Sequence, residues 1–111
     1  MRSWTRSVRG DVYRLRPDKE AKGHEQRGQR YAVAVQSDGI RLSTLIVAPT
    51  STSAQPAIFR PEIDMSGTRT RVLVDQLRAV DAGRLGDFAG RLDGEEAYEV
   101  DRAIRLMLGV L

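Results

Sequence analysis

Residues 42–50 (LSTLIVAPT) constrain the fold of this chain more than any other segment. They are apolar and rich in β-branched side chains, the signature of a buried strand, and they run directly into four consecutive hydroxyl residues, Thr50-Ser51-Thr52-Ser53. Pro49 marks the end of that strand or a bulge within it. A second apolar run of strand length, residues 31–36 (YAVAVQ), precedes it, and Asp38-Gly39 supplies the turn between them. Further strands are expected at 9–16 (RGDVYRLR), at 57–63 along an edge, at 70–76 (TRVLVDQ, with Val72 and Val74 on one face) and at 88–92. Residues 51–56 read as a Ser/Thr/Pro loop, 64–67 as a turn and 81–86 as a helical turn.

The chain ends differently. Asp93 is a good N-cap, and Glu95 and Glu96 oppose the dipole of a helix that starts there. Val100, Ile104, Met107 and Leu108, with Leu111, fall on one stripe at helical spacing, which is read as core. Five or six short strands and a terminal helix predict a mainly β (α+β) fold: a small, strongly bent barrel with short helices and a C-terminal amphipathic helix packed on it.

At 111 residues the chain is read as one domain, with a flexible lead over 1–8 and the folded unit over 9–111. It contains no cysteine, which excludes disulfides and thiol catalysis, and His24 is its single histidine, which removes a His-rich metal centre. No cofactor is expected. No apolar run approaches the ~20 residues of a membrane span, and the Arg-rich N-terminus lacks the apolar core of a secretory signal, so a cytoplasmic protein is expected. Charge is uneven: residues 1–31 hold nine Lys/Arg against four Asp/Glu, and the other 80 hold nine against eleven. A basic N-terminal third suits a polyanionic partner.

Residues 17–29 form a 13-residue polar stretch, long for a connection and hence a candidate functional loop. Its second half, Gly23-His24-Glu25-Gln26-Arg27-Gly28-Gln29, leads into Arg30 and carries a carboxylate, an imidazole and guanidinium groups. Beside the hydroxyl run at 50–53, it would make a phosphate-sized site of cations and hydroxyls that needs no metal. These two blocks, with Arg9-Gly10-Asp11-Val12-Tyr13, the segment 74–81 (VDQLRAVD) and Gly90-Arg91-Leu92 ahead of 99–104 (EVDRAI), occur in an order and spacing that resemble the MazF/PemK family of toxin endoribonucleases. The resemblance covers Arg9 to Leu111. It implies an SH3-like barrel, a homodimer, metal-independent cleavage of single-stranded RNA, and an antitoxin that lays an acidic C-terminal segment over the RNA groove. Two departures mark this chain: Arg30-Tyr31 stands where Arg-Pro is usual, and His24 where Ser is common.

By this resemblance Arg30 is the catalytic arginine, whose planar fork can hold two phosphate oxygens and stabilise a phosphorane. Ser51 matches the hydroxyl that helps hold the scissile phosphate, with Thr52 next in line. Glu25 is the best carboxylate to take the 2′-OH proton, and His24 has a suitable intrinsic pKa of ~6.5 for the same task. Gln26, Arg27, Ser53, Asp75 and Gln76 are RNA-contacting candidates. Aromatic residues are too few for a broad stacking platform, so recognition should rest on hydrogen bonds to a few splayed bases. The expected chemistry is attack by the 2′-OH, leaving a 2′,3′-cyclic phosphate and a 5′-OH. The alternatives are a non-enzymatic, CcdB-like toxin on the same barrel that poisons a protein such as DNA gyrase, and a catalytically decayed barrel kept as an interaction module.

Overall fold

A computed structural model of the chain describes residues 8–16 and 30–110. Seven strands precede one helix: β1 (Asp11–Leu15), β2 (Arg30–Ala34), β3 (Thr44–Ser51), β4 (Glu62–Met65), β5 (Thr68–Val72), β6 (Arg78–Asp81), β7 (Leu85–Arg91) and α1 (Gly94–Leu108). All pairings are antiparallel, in the order β4-β5-β3-β2-β1-β7, with β6 also pairing β3. The architecture is mainly β: a curled half-barrel with one C-terminal helix, as expected.

The longest predicted strand is the hinge of this curl. Along one edge β3 pairs with β2; along the other its first half pairs with β6 (Thr44↔Asp81 to Val47↔Arg78) and its last two residues pair with β5 (Thr50↔Val72, Ser51↔Arg71). Pro49 sits at the changeover. It has no N–H to donate, and its carbonyl accepts from Leu73 N–H at 2.8 Å, which closes the corner. The barrel therefore turns where the apolar run gives way to hydroxyls.

Central strands are buried on both faces, which explains why YAVAV is apolar throughout. Val12, Val33 and Ala48 enter one core with Ile63, Val72, Val74, Val100 and Ala103, while their neighbours Tyr13, Ala32 and Val47 enter a second with Leu15, Val80 and Leu85. The largest fully buried side chains are all valines, Val12, Val33, Val47, Val72 and Val74, each worth about 1.5–3 kcal/mol on burial.

The helix begins with a capping box: the Asp93 carboxylate accepts from Glu96 N–H at 2.7 Å, and the Glu96 carboxylate accepts from Asp93 N–H at 3.0 Å. It ends at Gly109, whose φ of 69° is the left-handed conformation glycine adopts without strain. Val100 and Ala103 are buried and Ile104 packs beside them, but Met107 is 37 % and Leu108 58 % exposed. The predicted stripe is thus core only in its first half, and Leu111 lies outside the described residues. Among the described residues no helix is long and apolar enough to cross a membrane.

Three expectations need correction. Residues 57–61 form no strand: Arg60 folds back onto the Gln55 carbonyl, and β4 starts only at Glu62 and includes Asp64, so the turn shrinks to Ser66-Gly67. The strand expected over 70–76 stops at Val72, because Leu73 bonds to the corner at Pro49 and Val74–Gln76 then form a 3-10 turn. After that turn the chain pairs again as β6, raising the strand count to seven. The 3-10 turn at Ala82–Arg84 agrees with the helical turn expected there, and β7 starts earlier than foreseen, at Leu85.

Candidate active site: a pocket at the barrel corner

Arg30 opens β2 and Ser51 closes β3. The β2–β3 register runs to Ala32 opposite Pro49, which brings the start of β2 and the end of β3 to the same corner of the sheet. A spacing of about 20 residues in sequence thus closes to neighbouring positions at one corner. Both residues line a pocket of about 300 Å³ together with Tyr31, Thr50, Thr52 and Ser53. The β4–β5 hairpin supplies the facing wall with Met65, Ser66, Thr68 and Thr70, and Ala89 of β7 completes it.

The pocket is a basin of hydroxyls with Arg30 as the one charged residue in its described lining. Thr50 Oγ1 donates to the Tyr31 carbonyl at 3.1 Å, tying the two strands at the pocket floor. Ser51 Oγ accepts from Ser53 N–H at 3.1 Å and lies 3.5 Å from the Ser53 hydroxyl. This turn orients the Ser51 hydroxyl at the pocket edge. One guanidinium and several hydroxyls form a donor set for phosphate oxygens. Among the described residues no group of three or more His, Cys, Asp or Glu side chains is arranged to hold a metal ion.

The sequence-predicted residues divide into three groups. Arg30, Ser51, Thr52 and Ser53 come together in the pocket. His24, Glu25, Gln26 and Arg27 lie outside the described residues. Asp75 and Gln76 are not in the pocket lining; they belong to the 3-10 turn after β5. Both Asp75 oxygens are taken by Arg60, from Nε at 3.0 Å and Nη2 at 2.9 Å, while Arg60 Nη1 donates to the Gln55 carbonyl at 3.1 Å. The Arg60 hydrogen bonds hold the Asp75 carboxyl below its usual range, and Asp75 raises the Arg60 guanidinium in turn. This fork fastens the loop that follows Ser51 to the turn beneath it.

The Arg9-Gly10-Asp11 block is structural. Asp11 is 2 % exposed and accepts from Arg91 Nε at 2.7 Å, Val8 N–H at 2.9 Å and the Tyr13 hydroxyl at 3.3 Å. Arg9 donates to the Val35 carbonyl and to Asp101, bracing β2 against α1. Sequence reasoning missed the hairpin wall. Its signal was the alternation of Thr68 and Thr70 on one face of a strand, which puts two more hydroxyls opposite the 50–53 run.

A family model described as the PemK-like, MazF-like toxin of type II toxin–antitoxin systems matches residues 8–108. The chain belongs to this family. A candidate toxin of Mycobacterium tuberculosis (strain ATCC 25618 / H37Rv) is 45 % identical over 104 residues, covering 93 % of this chain and 98 % of its own. Endoribonuclease EndoA of Bacillus subtilis (strain 168) is 34 % identical over 113 residues, covering 93 % and 95 %. Among solved structures, a mycobacterial endoribonuclease in complex with its cognate antitoxin superposes with a TM-score of 0.76 at 17 % identity, over 95 % of this chain and 97 % of that one. MazF of Deinococcus radiodurans superposes at 0.75 with 21 % identity, over 94 % and 97 %. These likenesses carry the MazF fold to this toxin.

Proposed function

We propose that this toxin is an endoribonuclease that cuts single-stranded RNA at a short sequence motif without a metal ion, using the RNA's own 2′-OH. The observation that carries the proposal is the single pocket gathering Arg30 with the hydroxyls of Ser51, Thr52 and Ser53. The relationship to EndoA supports the reaction class. In the step envisaged, the 2′-oxygen attacks the adjacent phosphorus, the P–O5′ bond breaks, the departing 5′-oxygen takes a proton from water with Arg30 beside it, and the products are a 2′,3′-cyclic phosphate and a 5′-OH. Arg30 neutralises the phosphorane and Ser51 donates a hydrogen bond to it. Glu25 takes the 2′-OH proton, with His24 as the other candidate, and Gln26, Arg27 and Gln76 contact RNA. For Asp75 the fork with Arg60 favours a bracing role over base reading.

The cognate antitoxin of this type II toxin is proposed to carry an acidic C-terminal segment that competes with RNA for the same groove. Its carboxylates would meet Arg30 and the basic residues Lys19, Lys22 and Arg27 of the preceding loop. The functional unit is proposed to be a cytoplasmic homodimer. Incubating the purified protein with a structured phage RNA in EDTA, then mapping the 5′ ends, tests the central proposal. Cleavage at a recurring motif is expected; intact RNA under these conditions, with cleavage restored by a divalent metal, would contradict it.

A further inference from the structure

We propose that the β4–β5 hairpin is a nucleobase subsite in which Ser66 and Thr68, beside Met65, read the edge of one base next to the scissile phosphate. The proposal rests on the reading of the corner pocket as an RNA-cleavage site. Its starting point is size. The pocket holds about 300 Å³, at the small end of the ~300–1,000 Å³ typical of sites for small organic ligands, so there is room beyond a phosphate held by Arg30 and Ser51.

Chemistry says what the remaining space suits. The hairpin wall carries no cation to pair with a second phosphate, and its neutral hydroxyls match the neutral edge of a base better. Two of the pocket's threonines are already engaged: Thr50 donates to the Tyr31 carbonyl and Thr70 donates to the Thr68 carbonyl at 3.2 Å. Ser51 and Ser53 serve each other across their turn. Ser66 and Thr68 on the hairpin, like Thr52 on the facing wall, have hydroxyls that make no hydrogen bond with any described residue, and of the three only the hairpin pair lies on the uncharged wall beside Met65. A hydroxyl both donates and accepts, so this pair can meet a base edge of either polarity, and the Met65 thioether adds a polarizable surface for the base face.

The pair is also held in place, as a specificity element must be. Ser66 has φ 54° and Gly67 φ 91°, the two left-handed residues of a tight hairpin turn. Serine is an uncommon occupant of that first position, and strained residues of this kind cluster at functional sites. The Asp64 carboxylate accepts from Gly67 N–H at 2.7 Å, and Asp64 N–H donates to Glu96 at 2.8 Å, so the turn is pinned to the helix cap. A rotor fixed at its base and open at its tip discriminates bases by the hydrogen bond it gains or loses.

The test compares wild type, Ser66→Gly, Thr68→Val and Thr68→Ser on one long structured phage RNA, with every 5′ end mapped and quantified. Ser66→Gly keeps the turn and removes its strain, and Thr68→Val keeps the strand shape, so both variants should fold. Each is expected to cut new sites that differ from the wild-type motif at one and the same position, with preference there falling about five- to tenfold, the scale of one lost hydrogen bond to a base. Thr68→Ser should keep the motif. Unchanged site preferences in all variants would overturn the subsite, and so would a uniform loss at every site, which would mean a sugar or backbone contact. A wild-type protein that cuts no RNA would overturn the cleavage reading itself, a result distinct from either.

Discussion

One hairpin separates two clefts of opposite chemistry. Side chains alternate across a strand, so Met65, Thr68 and Thr70 face the corner pocket, while Glu62, Asp64 and Arg69 face a second cleft completed by Asp93, Glu95, Glu96 and Glu99 at the start of α1. The acidic cleft is the larger, about 540 Å³ against about 300 Å³. Volume alone would choose the wrong one for RNA. Its carboxylates repel a polyanion, and most already have work in the fold: Glu62 pairs with Arg69 at 2.7 Å and Arg71 at 3.2 Å, Glu96 caps the helix and holds Asp64, and Glu99 reaches Arg102 at 3.6 Å. The corner pocket has the reverse character, lined by a guanidinium and hydroxyls. Donor chemistry distinguishes the proposed RNA cleft from the acidic one.

The strongest way to break this comparison is to remove the charge that defines the corner pocket. Arg30→Ala should lower RNA cleavage a hundredfold or more, the scale of a lost transition-state contact of about 3 kcal/mol, with little change in thermal stability. Ser51→Ala should cost less, roughly ten- to a hundredfold, since it removes one neutral donor. Single-turnover cleavage assays on both variants check this. An Arg30→Ala protein as toxic to cells as wild type would favour the protein-poisoning alternative.

A smaller effect is expected at the brace under the pocket. Asp75→Asn would loosen the loop after Ser51 and so misplace Thr52 and Ser53, lowering kcat/KM by roughly three- to tenfold, mostly through KM. Its stability signature has a definite sign. Arg60 holds the Asp75 carboxyl below its unfolded value of about 4, so the pair contributes fully above that pH and is lost as pH falls through the lower native value. Thermal unfolding should therefore separate wild type from Asp75→Asn at neutral pH and bring them together in strong acid. A constant gap across that range would show that the fork is not the source of the difference.

The smallest effect belongs to the acidic cleft. Glu95→Gln with Glu99→Gln should change cleavage less than about twofold, any gain appearing at low salt, where long-range repulsion of RNA is least screened. A tenfold loss there would put the second cleft into the reaction.

How much of this was legible in the sequence follows from which interactions are local. The helix start was readable because Asp93, Glu95 and Glu96 act within a single turn. The strands YAVAV and LIVA were readable because burial on both faces leaves a continuous apolar run. That Arg30 and Ser51 lie close together was expected from a resemblance, and the pairing of β2 with β3 brings them to one pocket. The Arg60–Asp75 fork was not legible. It joins residues 15 apart across a corner set by Pro49 and Leu73, and in sequence Asp75 looks like any polar residue at a strand end. The hairpin wall was missed for a similar cause: the turn was placed over 64–67, which hid Asp64 inside a strand and Ser66 at its tip. The exposed end of the α1 stripe shows the limit of periodicity, which marks a face as apolar without saying how far the barrel beneath it extends.

On the proposed mechanism the corner pocket cleaves RNA by activating the RNA's own 2′-OH. Its most direct test is a single-stranded oligonucleotide carrying the cleavage motif and one 2′-deoxy substitution at the nucleotide 5′ to the cut, compared with the all-ribo strand in EDTA. The all-ribo strand should be cut to a 2′,3′-cyclic phosphate and a 5′-OH, while the substituted strand should bind but stay intact. Cleavage of the substituted strand at the normal rate would contradict the mechanism.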